Sequence, residues 1–153
     1  MPSELQQGPS ANEMRAFAYR LLGRREYGIR ELCNRIRKKW PEAEGIEALV
    51  EQLATENLVS DERFAESFVR SRVRRQQGPL KIKAELSRKG VPDASTSRAL
   101  DSVAGQWLEI AAQWLQKQHP GDIGFEEKQK FYRRLVNRGF THDQAMDVLK
   151  RSR

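Results

Sequence analysis

Apolar residues recur along this chain at the spacing of one helix face. Met14, Phe17, Ala18, Leu21 and Leu22 fall at i, i+3, i+4, i+7 and i+8, and Ile29, Leu32, Cys33, Ile36 and Trp40 follow the same rule, which predicts two amphipathic helices. Ile46, Leu49, Val50 and Leu53 mark a third, closed by the turn ENLVSD, where Ser60 or Asp61 is placed to cap a fourth through Phe64, Ala65, Phe68 and Val69. Gly78-Pro79 then breaks the chain, with Gly for the turn and Pro at the first position of a fifth helix, where its missing N–H costs no bond. That helix turns Ile82 and Leu86 inward and stops at Gly90, expected in the left-handed conformation with Val91 folded back. Asp93 is placed to cap a short sixth helix with Ala99, Leu100 and Val103. Trp107, Leu108, Ala111, Trp114 and Leu115 form a seventh, ended by His119-Pro120-Gly121. Phe131, Leu135 and Val136 form an eighth, up to Gly139-Phe140, and Thr141 with Gln144 has the spacing of a capping box ahead of a ninth through Ala145, Val148 and Leu149. Nine helices and no strand place the chain in the all-α class.

The nine helices divide into three units. Aligned on their middle helices, Gly28, Leu32 and Ile36 match Gly78, Ile82 and Leu86, while Phe131 and Leu135 match the last two of each set. The anchors Ile36, Leu86 and Leu135 repeat at a period near 50, and Gly90-Val91 and Gly139-Phe140 follow the later two at the same offset. The expected organisation is a disordered polar tail over 1–11 and three-helix repeats at 12–59, 60–104 and 105–153. A unit this small buries little by itself, so neighbours are expected to share core in an elongated, curved array.

Charge follows the same division. The 153 residues hold 28 Lys and Arg against 21 Asp and Glu, a formal net charge of +7. Residues 24–39 carry seven Lys or Arg and two Glu, residues 70–90 eight and one Glu, and residues 128–138 five and no acid. The intervening stretches 40–69 and 91–127 are net acidic. One basic block thus accompanies each middle helix. Lys and Arg also favour helix C-termini for dipole reasons, but repulsion among three equivalent blocks is better explained by a polyanionic partner. Because its planar fork pairs with phosphate, Arg is the more telling residue, and Arg24, Arg25, Arg70, Arg72, Arg74, Arg75, Arg133 and Arg134 are the leading candidates. Arg30, Arg35, Arg37, Lys38, Lys81, Lys83, Arg88, Lys89, Lys128, Lys130 and Arg138 complete the stripe, with Tyr27 and Tyr132 as bases' stacking partners inside the blocks.

Other chemistry finds no support. His119 and His142 lack the i, i+4 partner of a helical metal pair, and 78–83 lacks the Gly-Lys-Ser/Thr end of a phosphate loop. Cys33 shares the face of Ile29, Leu32 and Ile36, as a buried inert thiol does, and Trp107 and Trp114 have core spacing. A single Cys excludes an intrachain disulfide framework, and no apolar run reaches about 18 residues, the minimum for a membrane span. The expectation is a cytoplasmic monomer with no enzymatic activity, no metal and no cofactor.

The run SDERFAESFVRSRVRRQQGPLKIKAELSRKGV, residues 60–91, resembles the central signature of the RecX family of bacterial recombination regulators, and REYGIRELCNRI and FYRRLVNRGF resemble that family's first and third repeats. The resemblance implies three tandem three-helix repeats and a partner in the RecA nucleoprotein filament. It further implies negative modulation of RecA in DNA repair and the SOS response, through strand exchange, ATP hydrolysis and co-protease activity. The basic stripe fits sequence-independent attraction to single- or double-stranded DNA. Two other readings stay open on the residues alone. Consecutive short helices at 29–39 and 46–57 have the order of a helix-turn-helix in a DNA-binding transcription regulator. A protein-interaction solenoid would instead aim its basic face at an acidic protein surface.

Overall fold

A computed structural model describes residues 8–152. Among them nine α-helices and one 3-10 turn account for the regular structure, with no strand. Helices α1 (Ala11–Leu22), α2 (Ile29–Lys39) and α3 (Ile46–Thr55) form the first unit. Helices α4 (Asp61–Arg74), α5 (Pro79–Arg88) and α6 (Asp93–Asp101) form the second, and α7 (Trp107–Gln118), α8 (Phe125–Asn137) and α9 (His142–Arg151) the third. The tail expected over 1–11 lies outside the described residues as far as residue 7; Ser10 already caps α1, accepting from Glu13 N–H while the Glu13 carboxylate accepts from Ser10 N–H.

The stops and starts have local causes. Gly90 and Gly139 end α5 and α8 in the left-handed conformation, with φ of 80° and 99°. Val91 N–H then returns to the Leu86 carbonyl and Phe140 N–H to that of Leu135, so each C-terminus closes in the same way. Ser60 caps α4 and Thr141 caps α9 with the full capping box. Asp93 does not cap α6: Pro92 occupies the cap position and Asp93 the first turn, where its charge still favours the helix dipole.

All the helix pairs in extensive contact lie within one unit, most of all α4 on α6, α2 on α3, and α7 on α9. Sharing of core is uneven. Met14, Leu21, Leu32, Ile36, Val50, Leu53 and Val59 belong to one buried cluster confined to the first unit, whereas Phe64, Leu86, Trp107, Trp114, Phe131, Leu135 and Phe140 belong to a single cluster spanning the second and third. The reason lies at the joints. Phe140, fully buried, folds back after Gly139 beside the N-terminus of α5 and continues the core across that junction, while the first joint is made largely by polar groups.

The joints share a plan. Each middle helix begins at a glycine with extended backbone and no side-chain cap (Gly28, Gly78 and Gly124). At the second joint the N–H groups of Gly78 and Leu80 donate to the carbonyls of Arg138 and Gly139, at 2.8 and 2.9 Å. At the first, the Asp61 carboxylate accepts from Ile29 N–H at 2.9 Å, so a residue of the second unit caps a helix of the first. Gly90 packs against the Arg30 side chain as Gly139 packs against Lys81. The C-terminus of α5 therefore meets the N-terminus of α2, and the C-terminus of α8 meets that of α5. The φ of −84° at Gly78 is open to any residue, so the turn does not require this glycine; the close approach of Gly139 does.

Candidate nucleic-acid interface

Because α2, α5 and α8 abut end to end, the three basic blocks lie in one file along the molecule. Within it the structure separates two kinds of cation.

The first kind is engaged internally. Arg25 donates to both oxygens of Glu31 at 3.0 and 3.2 Å and lies 3.6 Å over the Tyr27 ring. Lys89 reaches Glu31 from the second unit at 3.4 Å, and Arg37 pairs with Glu47. Arg72 holds Glu85 at 3.2 Å and covers Phe68, both charged side chains being mostly buried. Arg134 bonds Gln118 at 2.8 Å and lies over Trp114 and Phe131. Arg138 donates to the carbonyls of Gln76 and Arg75, covers Trp114, and so latches the end of α4 to the third unit. Burial, with Arg134 beside it, pushes the Arg138 guanidinium down from its ordinary value. Arg30 stands between the two kinds: its stem lies beneath Gly90, but it is exposed and makes no ion pair among the described residues.

The second kind is exposed and makes no ion pair among the described residues: Arg24, Arg35 and Lys38 near α2; Arg70, Arg74 and Arg75 at the end of α4; Lys81, Lys83 and Arg88 on α5; Lys130 and Arg133 on α8. Half-buried Lys128 likewise has no ion-pair partner among those residues. Each keeps its charge free for a polyanion.

The two tyrosines also part company. Tyr27 is 4% exposed, with Arg25 over its ring, so no face is left for a base, and its place as a stacking partner is corrected. Tyr132 is half-buried and its hydroxyl lies 2.6 Å from His142 Nδ1. Trp107 and Trp114 are core residues, as their spacing predicted. Cys33 is buried, and burial pushes its thiol up, which keeps it protonated. His119 pairs with Glu127 at 2.6 Å. No His, Cys, Asp and Glu group suited to a metal occurs among the described residues, and no helix there is long and apolar enough to cross a membrane.

Glu31 ties the first joint, and its ionisation makes that joint sensitive to acid. Burial alone would raise its carboxyl, but the hydrogen bonds and charges of Arg25 and Lys89 prevail and hold it below the ordinary glutamate value. A depressed value contributes stability that is complete above the unfolded-state value and is lost as pH falls through the folded one. Glu31→Gln is therefore expected to lower thermal stability at neutral pH and to flatten its decline on acidification below the ordinary glutamate range. A decline as steep as that of the unaltered protein would place the acid-sensitive group elsewhere.

The family model for the second three-helix domain of RecX matches residues 60–100, which span α4 to α6. Regulatory protein RecX of Chromohalobacter salexigens is 43% identical over 134 residues, covering 86% of this chain and 88% of its own. The chain belongs to the RecX family of regulatory proteins. The Halorhodospira halophila member is 34% identical over 140 residues, 90% of this chain and 87% of its own. The crystal structure of RecX from Lactobacillus salivarius shares the fold, with a TM-score of 0.77 at 23% identity over 92% of this chain and 94% of that one. The SDERFAESFVRSRVRRQQGPLKIKAELSRKGV run that carried the RecX resemblance thus contains the first two helices of the matched domain and the joint glycines Gly78 and Gly90.

Proposed function

We propose that this RecX-family regulator binds the RecA nucleoprotein filament in the cytoplasm and restrains its activities in recombination and the SOS response, without a reaction of its own. The observation that carries the reading is the end-to-end file of α2, α5 and α8 with its free Arg and Lys side chains, which suits a continuous phosphate backbone better than a point ligand. The file supplies sequence-independent attraction, and contacts to RecA protomers supply specificity for the filament. On this reading the three units, at 12–59, 60–104 and 105–153, act together as one monomeric binding surface.

The test is the single-strand-dependent ATPase of RecA, with this protein titrated from far below to above the RecA concentration. Inhibition at substoichiometric ratios is the expected result. No effect at any ratio, combined with preference for one duplex over random competitor, would overturn the proposal in favour of a direct DNA-binding transcription regulator.

A further inference from the structure

The third unit carries a groove between α8 and α9, about 700 Å³ in volume, that the file of cations does not explain. Its floor is Phe125, Tyr132, Met146 and Leu149. Phe125 is 80% exposed and Met146 48%, an unusual placement for large apolar side chains in so polar a chain. The rim is Lys128, Arg133 and Lys150, and no carboxylate lines it.

The repeat supplies a matching groove for comparison. Placing Leu32 and Ile36 of α2 on Phe131 and Leu135 of α8 carries Ile29, Arg30, Cys33 and Asn34 onto Lys128, Gln129, Tyr132 and Arg133. The latter four line the groove, and the former four line the corresponding hollow of the first unit, where Asp61 and Gly90 of the second unit complete the wall. The start of α4 borders that hollow, with the Asp61 carboxylate on Ile29 N–H and the Phe64 ring against Gly28. That segment is a helix beginning with an acid and carrying an aromatic one turn on. Among the described residues no segment of another unit borders the matching groove of the third unit.

Two differences adapt the third groove to a separate molecule. Helix α8 extends further towards its N-terminus than α2 in this register, Glu127 standing where α2 has Gly28, so Phe125 projects as an added apolar contact. Lys128 replaces Ile29 and Arg133 replaces Asn34, which places cations on this rim at positions that are uncharged in the first unit. Met146 and Leu149 make the floor aliphatic as well as aromatic, which suits apolar side chains better than a stacked base. A second copy of the same groove would set Lys128, Arg133 and Lys150 against their own kind.

We infer that the α8–α9 groove docks an acidic amphipathic helix of a protein partner, its apolar face on Phe125, Met146 and Leu149 and its carboxylates towards Lys128, Arg133 and Lys150. The inference does not depend on RecA being that partner. The test is fluorescence anisotropy of a fluorescein-labelled peptide with residues 57–69, NLVSDERFAESFV, titrated with the full chain, alongside a labelled single-stranded oligothymidylate. Saturable peptide binding is expected, weakened about tenfold or more by Met146→Glu and by Lys128→Glu. Phe125→Ser, at a side chain already in water, is the second apolar variant should Met146→Glu perturb the fold by circular dichroism. Oligothymidylate affinity is expected to be unchanged by Met146→Glu and Phe125→Ser. Absence of saturable peptide binding, or binding indifferent to these variants, overturns the inference. Parallel loss of oligothymidylate affinity in the apolar variants overturns it too, and makes the groove a nucleic-acid site.

Discussion

Gly78→Ala is expected to destabilise the protein by roughly 2–4 kcal/mol, whereas Gly124→Ala should cost under about 1 kcal/mol. The two glycines are the same cap in isolation: φ is −84° and −70°, ψ 167° and 162°, and neither has a side-chain hydrogen bond. What differs is the space above them. A Cβ on Gly78 would come closer than 3.0 Å to the Gly139 carbonyl and the Phe140 nitrogen, backbone that cannot rotate away. On Gly124 it would meet only the flexible end of Glu127, at 3.7 Å. The joint must open or shift, loosening the Gly78 and Leu80 hydrogen bonds and the core that Phe140 continues between units. Urea unfolding of the two variants measures the difference. Equal losses would mean that cap propensity, not the joint, governs both positions.

That contrast also shows how far the sequence was legible. Helix number, starts and stops are local properties, written in 3.6-residue periodicity and in caps such as Thr141-Gln144, and they could be read without knowing the neighbours. The period near 50 came from the same source, since Leu86 and Leu135 repeat one set of core demands. The joints are non-local. Asp61 stood at the start of α4 as a natural cap for its own helix, yet Ser60 does that work and Asp61 reaches Ile29, thirty-two residues back. Burial raises the Asp61 carboxyl and the Ile29 N–H bond opposes it, so its setting is fixed by a partner that no window around residue 61 contains. The signal that was present was the triple recurrence of glycine at uncapped helix starts.

The basic stripe was legible as composition and not as geometry. Counting charge cannot tell Arg75, whose side chain is exposed, from Arg72, which is folded over Phe68 and held by Glu85, because both sit in one run of arginines. Nor could it tell Tyr27 from Tyr132, since the burial of Tyr27 depends on its place in the first unit's core with Arg25 over its ring. The α8–α9 groove went unseen because Phe125 and Met146 look like core residues until the register of the third unit leaves them outside.

That distinction between arginines sets the second large effect. Arg70, Arg74 and Arg75 are exposed at the end of α4 and make no ion pair among the described residues, so their replacement by glutamate removes charge without opening the core. If each offsets about one phosphate of a single strand, the triple variant should flatten the logarithmic salt dependence of oligothymidylate binding by about 2. Inhibition of the RecA ATPase should then need about tenfold more protein, or more. Glutamate at a helix C-terminus also opposes the dipole by about 0.3–1 kcal/mol per site, so the matching glutamine variants and circular dichroism accompany it. Arg72→Ala is the opposite case. It strands Glu85 and uncovers Phe68, which should cost roughly 1–3 kcal/mol of stability while leaving the salt dependence as it was. A folded triple variant that keeps the full salt dependence would remove this end of α4 from the phosphate-binding face. Flattening by Arg72→Ala, at undiminished stability, would mean that the Glu85 pair opens to bind DNA.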